Sequence, residues 1–184
     1  MLVLASQSPR RRELLERAGI PFTVRAADID ESIQSGEAPQ QYVRRLAARK
    51  AMAVRRDADD CVLAADTTVV LGTEILGKPV DAADAVRMLS ALAGRKHDVI
   101  TGICLRYRSD LFIDAAVTTV EFSPMSADQI EAYAATGEPM DKAGAYGIQG
   151  MASRYITGIE GCYFNVVGLP VSLVSRYLGK LGLL

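Results

Sequence analysis

Leu2-Val3-Leu4-Ala5-Ser6-Gln7-Ser8-Pro9-Arg10-Arg11-Arg12 opens the chain, and Glu13-Leu14-Leu15-Glu16-Arg17-Ala18-Gly19 follows it. The apolar run at 2–5 reads as a strand, 6–8 as a turn and 9–18 as a helix. Ser8 stands where an N-cap hydroxyl accepts from a free amide, and Pro9 takes the first helical position, where no amide is needed. Gly19 supplies the stop. The electrostatics are unusual, because three arginines in the first turn face the positive end of the helix dipole. Free amides, two hydroxyls and guanidinium groups make a seat for phosphate oxygens. The competing reading has the arginines fanning into water and pairing with Glu13 and Glu16. By itself the turn favours that plainer reading.

The rest of the chain narrows the choice. With 184 residues, 49% of them hydrophobic, the chain is long enough for one real core, and a single domain over 1–184, in two lobes at most, is expected. Lys+Arg 21 against Asp+Glu 22 leaves a net charge of -1, so no basic field draws nucleic acid and any anion site is local. Cys61, Cys104 and Cys162 are odd in number, widely spaced and mostly set in apolar runs, which suits reduced core thiols and a cytoplasmic protein. Residues 2–5 are too short for a signal peptide, and no apolar span is fit for a membrane. A single histidine, His97, gives a histidine triad or metal cluster little material; a solvent-facing or hydrogen-bonded role suits it better.

Working outward, Pro21–Arg25 reads as a second strand and 26–37 as an acidic loop carrying Asp28, Asp30 and Glu31. From Pro39, Tyr42, Val43, Leu46, Ala47, Ala51 and Val54 recur at helical spacing. Lys50 lies near that stripe, where a lysine ordinarily snorkels to water. Cys61-Val62-Leu63-Ala64-Ala65 is continuously apolar, the pattern of a strand covered on both faces, and it runs into Asp66-Thr67-Thr68. This places Asp66 at a strand's carboxyl end, where open α/β sheets carry ligand chemistry; an Asx-type turn is the plain alternative. Val69–Leu71 and Glu74–Leu76 form a small hairpin ahead of Gly77-Lys78-Pro79. Asp81 caps the next helix with Asp84 three residues on, and Gly94 ends it. The runs 97–107 and 111–122 pair as a long antiparallel hairpin. Ser126 to Gln129 is a capping box, Gly137 a stop, and Val171–Leu178 a terminal helix. Between them, 138–150 holds Gly144, Gly147 and Gly150, a proline and an Asp141-Lys142 pair, a loop able to press its backbone against a small molecule. Tyr146 there either stacks on a base or fills the core beneath.

Basic groups and carboxylates without histidine or cysteine partners point to hard-cation chemistry, magnesium or manganese shared with phosphate. In this reading a carboxylate such as Asp66 takes a proton from attacking water while arginines and the cation offset charge on the phosphate. P-loop, dinucleotide-binding and hydrolase-elbow signatures are absent; Gly72 to Lys78 approaches P-loop spacing, but Pro79 stands where the metal-binding hydroxyl belongs. A nucleotidyltransferase, or a nucleotide-binding regulatory module without significant catalysis, remains an alternative.

Residues 4–11, Ala65-Asp66-Thr67, Gly77-Lys78-Pro79, the run Glu138-Pro139-Met140-Asp141-Lys142-Ala143-Gly144-Ala145-Tyr146-Gly147-Ile148-Gln149-Gly150 and Val167-Gly168-Leu169-Pro170 together resemble the Maf family of nucleoside triphosphate pyrophosphatases, across almost the whole chain. The resemblance implies an α/β fold like that of the inosine triphosphate pyrophosphatases (Maf/Ham1): a long twisted mixed sheet flanked by helices, in two lobes with a central cleft. It also implies hydrolysis between the α and β phosphates with a divalent cation, magnesium or manganese, and a homodimer as a family-level expectation, with no nucleic-acid or membrane partner. By the same resemblance Asp66 is the proton acceptor. Ser8, Arg11, Glu31, Lys50 and Lys78 match the phosphate and metal positions, the metal falling to Glu31 and Asp66. Arg11, Thr67 and Gln149 match the specificity positions, in the identities of the branch acting on dTTP, UTP and modified pyrimidine nucleotides. A glutamine amide suits a pyrimidine edge.

Overall fold

In a computed structural model, residues 1–26 and 28–184 are described, and they form a mixed α/β structure. The strands are β1 (Leu2–Leu4), β2 (Phe22–Val24), β3 (Cys61–Leu71), β4 (Glu74–Leu76), β5 (Lys96–Tyr107), β6 (Asp110–Phe122) and β7 (Ile156–Glu160). The helices are α1 (Pro9–Arg17), α2 (Pro39–Ala53), α3 (Ala82–Leu92), α4 (Ala127–Ala134), α5 (Tyr163–Val167) and α6 (Val171–Lys180). The sheet runs β2-β1-β3-β5-β6-β7, with β4 against β3. β1 is parallel to both β2 and β3, while the β3–β4 and β6–β7 pairs are antiparallel, which makes the sheet mixed. β5 and β6 are neighbours joined through Arg108 and Ser109, a connection short enough only for a hairpin.

The chain divides into two compact units. The first comprises Met1–Thr67, Thr101–Ala116 and Gly168–Leu184, and the second Thr68–Ile100 and Val117–Val167. In the first, Val3 of β1, Ala5 just after it, and Val62 and Ala64 of β3 line a core that is closed by Ala47 and Ala51 of α2, Val54 just beyond that helix, and Cys104 of β5. Small side chains let the helix lie close on the strands: a Cβ added at Gly102 of β5 would strike the Val43 backbone of α2. In the second unit Val69, Leu76, Leu89, Leu92, Val120, Phe122 and Tyr133 form the core. His97 is buried there, its Nε2 2.8 Å from the Tyr146 hydroxyl and its ring edge-on to Phe122 and Tyr146. The hydrogen-bonded role holds for His97, and Tyr146 fills the core.

Several local readings stand as expected. Gly19 and Gly94 follow α1 and α3 with φ of 67° and 69°, the left-handed conformation a helix stop requires. The Asp81 carboxylate accepts from the Asp84 amide at 2.8 Å, and Ser126 and Gln129 form the reciprocal box at α4. Others change. Ser8 occupies the N-cap position of α1, but its side chain makes no capping bond, and its amide donates to Ser6 Oγ at 3.2 Å instead. β3 does not end at Ala65. Thr67, Thr68, Val69 and Val70 are β-branched and continue it to Leu71, so Asp66 lies inside the strand.

Two outcomes test this packing. Because the obstruction at Gly102 is backbone, Gly102→Ala lowers stability by roughly 2 kcal/mol in urea unfolding. Burial pushes the His97 imidazole down from 6.5 to about 4. A depressed histidine contributes stability that is present above its unfolded value and lost as pH falls through its folded one, so unfolding free energy drops by roughly 3 kcal/mol between pH 6.5 and pH 4. His97→Gln flattens that limb of the stability profile.

Candidate active site

The first unit gathers six of the expected residues. Asp66 projects from the middle of β3 with its side chain 10% exposed, and the Lys50 ammonium, 14% exposed, stands 2.6 Å from its Oδ1. The same Nζ stands 2.6 Å from Glu31 Oε1. Lys50 therefore does not snorkel to water, since two carboxylates, one buried, give its charge a better place than solvent. Burial pushes the Asp66 carboxyl above the ordinary aspartate value, while Lys50 and Arg11 oppose that rise by favouring the ionised form. The result is a desolvated carboxylate kept next to cations, the environment of a general base.

Glu31 comes from the acidic loop, which α2 holds by its backbone. Tyr42 donates its hydroxyl to the Glu31 carbonyl at 3.0 Å, Arg49 to the Asp30 carbonyl at 3.0 Å and Arg45 to the Ser32 carbonyl at 2.9 Å. Arg45 also grips both Glu37 oxygens, at 2.6 and 2.7 Å. Tyr42, Arg45 and Arg49 of α2 thus position the segment that carries the Glu31 carboxylate. Burial, with Asp66 and Glu31 nearby, pushes the Tyr42 phenol up to about 12.

Arg11 turns inward from α1 and is buried, whereas Arg12 is exposed. Its Nε donates to the Gly168 carbonyl at 2.8 Å, and its two terminal nitrogens donate to Ser6 Oγ at 3.1 Å and Thr67 Oγ1 at 3.0 Å. Thr67 Oγ1 also lies 2.9 Å from Thr101 Oγ1. These partners are neutral oxygens, and among the described residues no ion pair holds Arg11. The arginine cluster of the opening turn therefore separates into a buried Arg11, a half-buried Arg10 and an exposed Arg12. Gly168, and Thr101 acting through Thr67, carry no assignment from the sequence, while Ser6, one of the two hydroxyls of the expected phosphate seat, accepts from Arg11. Val167-Gly168-Leu169-Pro170 was the one visible signal, and a carbonyl acceptor is not encoded by residue type.

Glu31 and Asp66 address a single cation-sized point, now taken by Lys50. Two carboxylates suit a hard cation that completes its shell with water and phosphate oxygens. Among the described residues no group of three or more His, Cys, Asp and Glu could hold a metal ion.

Lys78 and Gln149 belong to the second unit, where both are exposed. The loop that carries Gln149 is built differently from the sequence expectation. Its glycines make room for the protein's own side chains: a Cβ at Gly144 would meet Val69 at 2.7 Å, at Gly147 the Lys142 stem at 2.6 Å, and at Gly150 the Glu138 carboxylate. The Asp141-Lys142 pair is present at 2.7 Å.

A family model described as Maf-like protein matches residues 1–181. A protein named dTTP/UTP pyrophosphatase from Anaeromyxobacter sp. (strain Fw109-5) is 52% identical over 98% of this chain and 89% of its own length. Proteins of the same name from Koribacter versatilis and Myxococcus xanthus are 50% and 52% identical over 100% of this chain, covering 95% and 93% of their own lengths. A solved nucleoside-triphosphatase / dITP/XTP pyrophosphatase from Mycobacterium abscessus aligns over 98% of this chain and 96% of its own at 13% identity, with a TM-score of 0.45, too low a likeness to bear on the site. The family match over nearly the whole length, with relatives at half identity, is decisive: the chain belongs to the Maf family.

Proposed function

We propose that this chain hydrolyses dTTP and UTP, and modified pyrimidine nucleotides, to the monophosphate and pyrophosphate, as nucleotide-pool housekeeping in the cytoplasm. The names of the relatives supply the substrate class. The observation that carries the chemistry is the buried Asp66 carboxylate held at 2.6 Å by an ammonium that also holds Glu31.

In this reading Asp66 accepts a proton from the attacking water, whose oxygen bonds to the α phosphorus as the bond to the bridging oxygen breaks and pyrophosphate leaves. Desolvation raises the basicity of Asp66, while Lys50 beside it favours the ionised form. Ser8, Arg11, Lys50 and Lys78 stabilise the phosphate charge. Glu31 and Asp66 hold a divalent cation, magnesium or manganese, which when bound offsets charge on the phosphate oxygens. Arg11, Thr67 and Gln149 sort the base. The three free cysteines suit a reducing compartment.

The deciding measurement is a nucleotide panel with magnesium or manganese, scored for monophosphate and pyrophosphate; turnover is expected for dTTP and UTP, and its absence for both at micromolar enzyme would falsify the proposal. Asp66→Asn retains the fold and nucleotide binding but loses roughly a thousandfold in kcat, because an amide accepts no proton. A chelator abolishes turnover of the native protein, and added magnesium or manganese restores it, as a colorimetric pyrophosphate assay reads directly.

A further inference from the structure

The turn that presents Gln149 is held from both ends by one carboxylate and the phenol bonded to it. Tyr133 of α4 donates its hydroxyl to Glu138 Oε1 at 2.8 Å, and the same hydroxyl oxygen accepts from the Gly147 amide at 3.3 Å. Glu138 Oε2 accepts from the Met151 amide at 3.1 Å. Within the turn, the Gly150 amide donates to the Gly147 carbonyl at 3.0 Å. Gln149 therefore lies on a four-residue turn whose entry is tied to Tyr133 and whose exit is tied to Glu138, while its own side chain is exposed. The fit is close, because a Cβ at Gly147 would meet the Lys142 stem at 2.6 Å and one at Gly150 would collide with the Glu138 carboxylate. Lys142 fastens the other side of Glu138, donating to its carbonyl at 2.6 Å. An exposed amide on an unsupported turn would sample many orientations, and selection by hydrogen bonds fails when a group is misplaced by about 1 Å.

We propose that Glu138, acting with Tyr133, is a positioning residue for base selection: it sets the 147–150 turn and through it the Gln149 amide. This rests on Gln149 reading the base. Both act through the turn, Tyr133 on its entry and Glu138 on its exit.

The test compares kcat/KM for UTP with that for CTP, which differs at the base edge an amide would read, in the native protein, Glu138→Ala, Tyr133→Phe, Glu138→Gln, Gln149→Ala and the Glu138→Ala/Gln149→Ala double variant. Glu138→Ala is expected to lower the UTP preference roughly tenfold, chiefly through KM, with Tyr133→Phe moving in the same direction. Glu138→Gln recovers part of it, since its amide oxygen still accepts from Met151. The double variant discriminates no worse than Gln149→Ala alone, the non-additivity expected of two residues acting through one group. A merely structural role would lower the melting temperature and leave the preference where it was, and that result overturns the proposal, as do additive losses in the double variant. Should Glu138→Ala not fold, Tyr133→Phe against Gln149→Ala decides alone. An unchanged UTP preference in Gln149→Ala removes the base-reading role itself, an outcome distinct from a failure confined to Glu138 and Tyr133.

Discussion

The first unit depends on where one ammonium group ends. Lys50 brings its charge to Asp66 and Glu31 at 2.6 Å each, inside a protein where an unpaired carboxylate would be strongly disfavoured. Removing one partner of so buried a pair typically costs about 3–5 kcal/mol, because the other charge stays behind. The pair thus explains why Asp66 is tolerated within β3. Burial that makes the carboxylate costly also raises its basicity, so the same desolvation serves stability poorly and chemistry well.

Positioning in both units relies on groups without chemistry of their own. In the first, the Gly168 carbonyl and the Ser6 and Thr67 hydroxyls orient the Arg11 guanidinium, and Tyr42, Arg45 and Arg49 pin the backbone that carries Glu31. In the second, Tyr133 and Glu138 hold the turn beneath Gln149. Most of these contacts end on a backbone carbonyl or amide more than ten residues away, and backbone groups are blind to residue type; the Arg11–Ser6, Arg11–Thr67 and Tyr133–Glu138 bonds join side chains.

The periodic elements were legible. α2 declared itself by its apolar stripe, α3 and α4 by their caps, and the long hairpin by its β-type runs, because these patterns follow from local geometry and one-sided burial. Polar residues within β3 mislead: Asp66-Thr67-Thr68 reads as the strand's carboxyl end, since nothing local reveals that Lys50 satisfies the aspartate. The glycines at 144, 147 and 150 were likewise legible as close approach, but the approaching groups are Val69, Lys142 and Glu138, which no spacing identifies. α5 escaped notice, although Asn165 within it donates to the Val99 carbonyl and Thr118 Oγ1, because five residues are too few for a helical period to register.

By itself the sequence determined the periodic helices and the long strands, the membership in the Maf family and the residue types that make a phosphate-handling site plausible, since periodicity, caps and motif order are properties of the chain alone. Tertiary structure decided which of those residues act together. It turned Arg11 inward and left Arg12 in solvent, moved Lys50 from water to two carboxylates, and replaced the Ser8 cap by a bond to Ser6. The physical reason is common to all of them: a charged or polar side chain takes its role from the burial and partners that distant segments supply, and those are set only when the chain has packed.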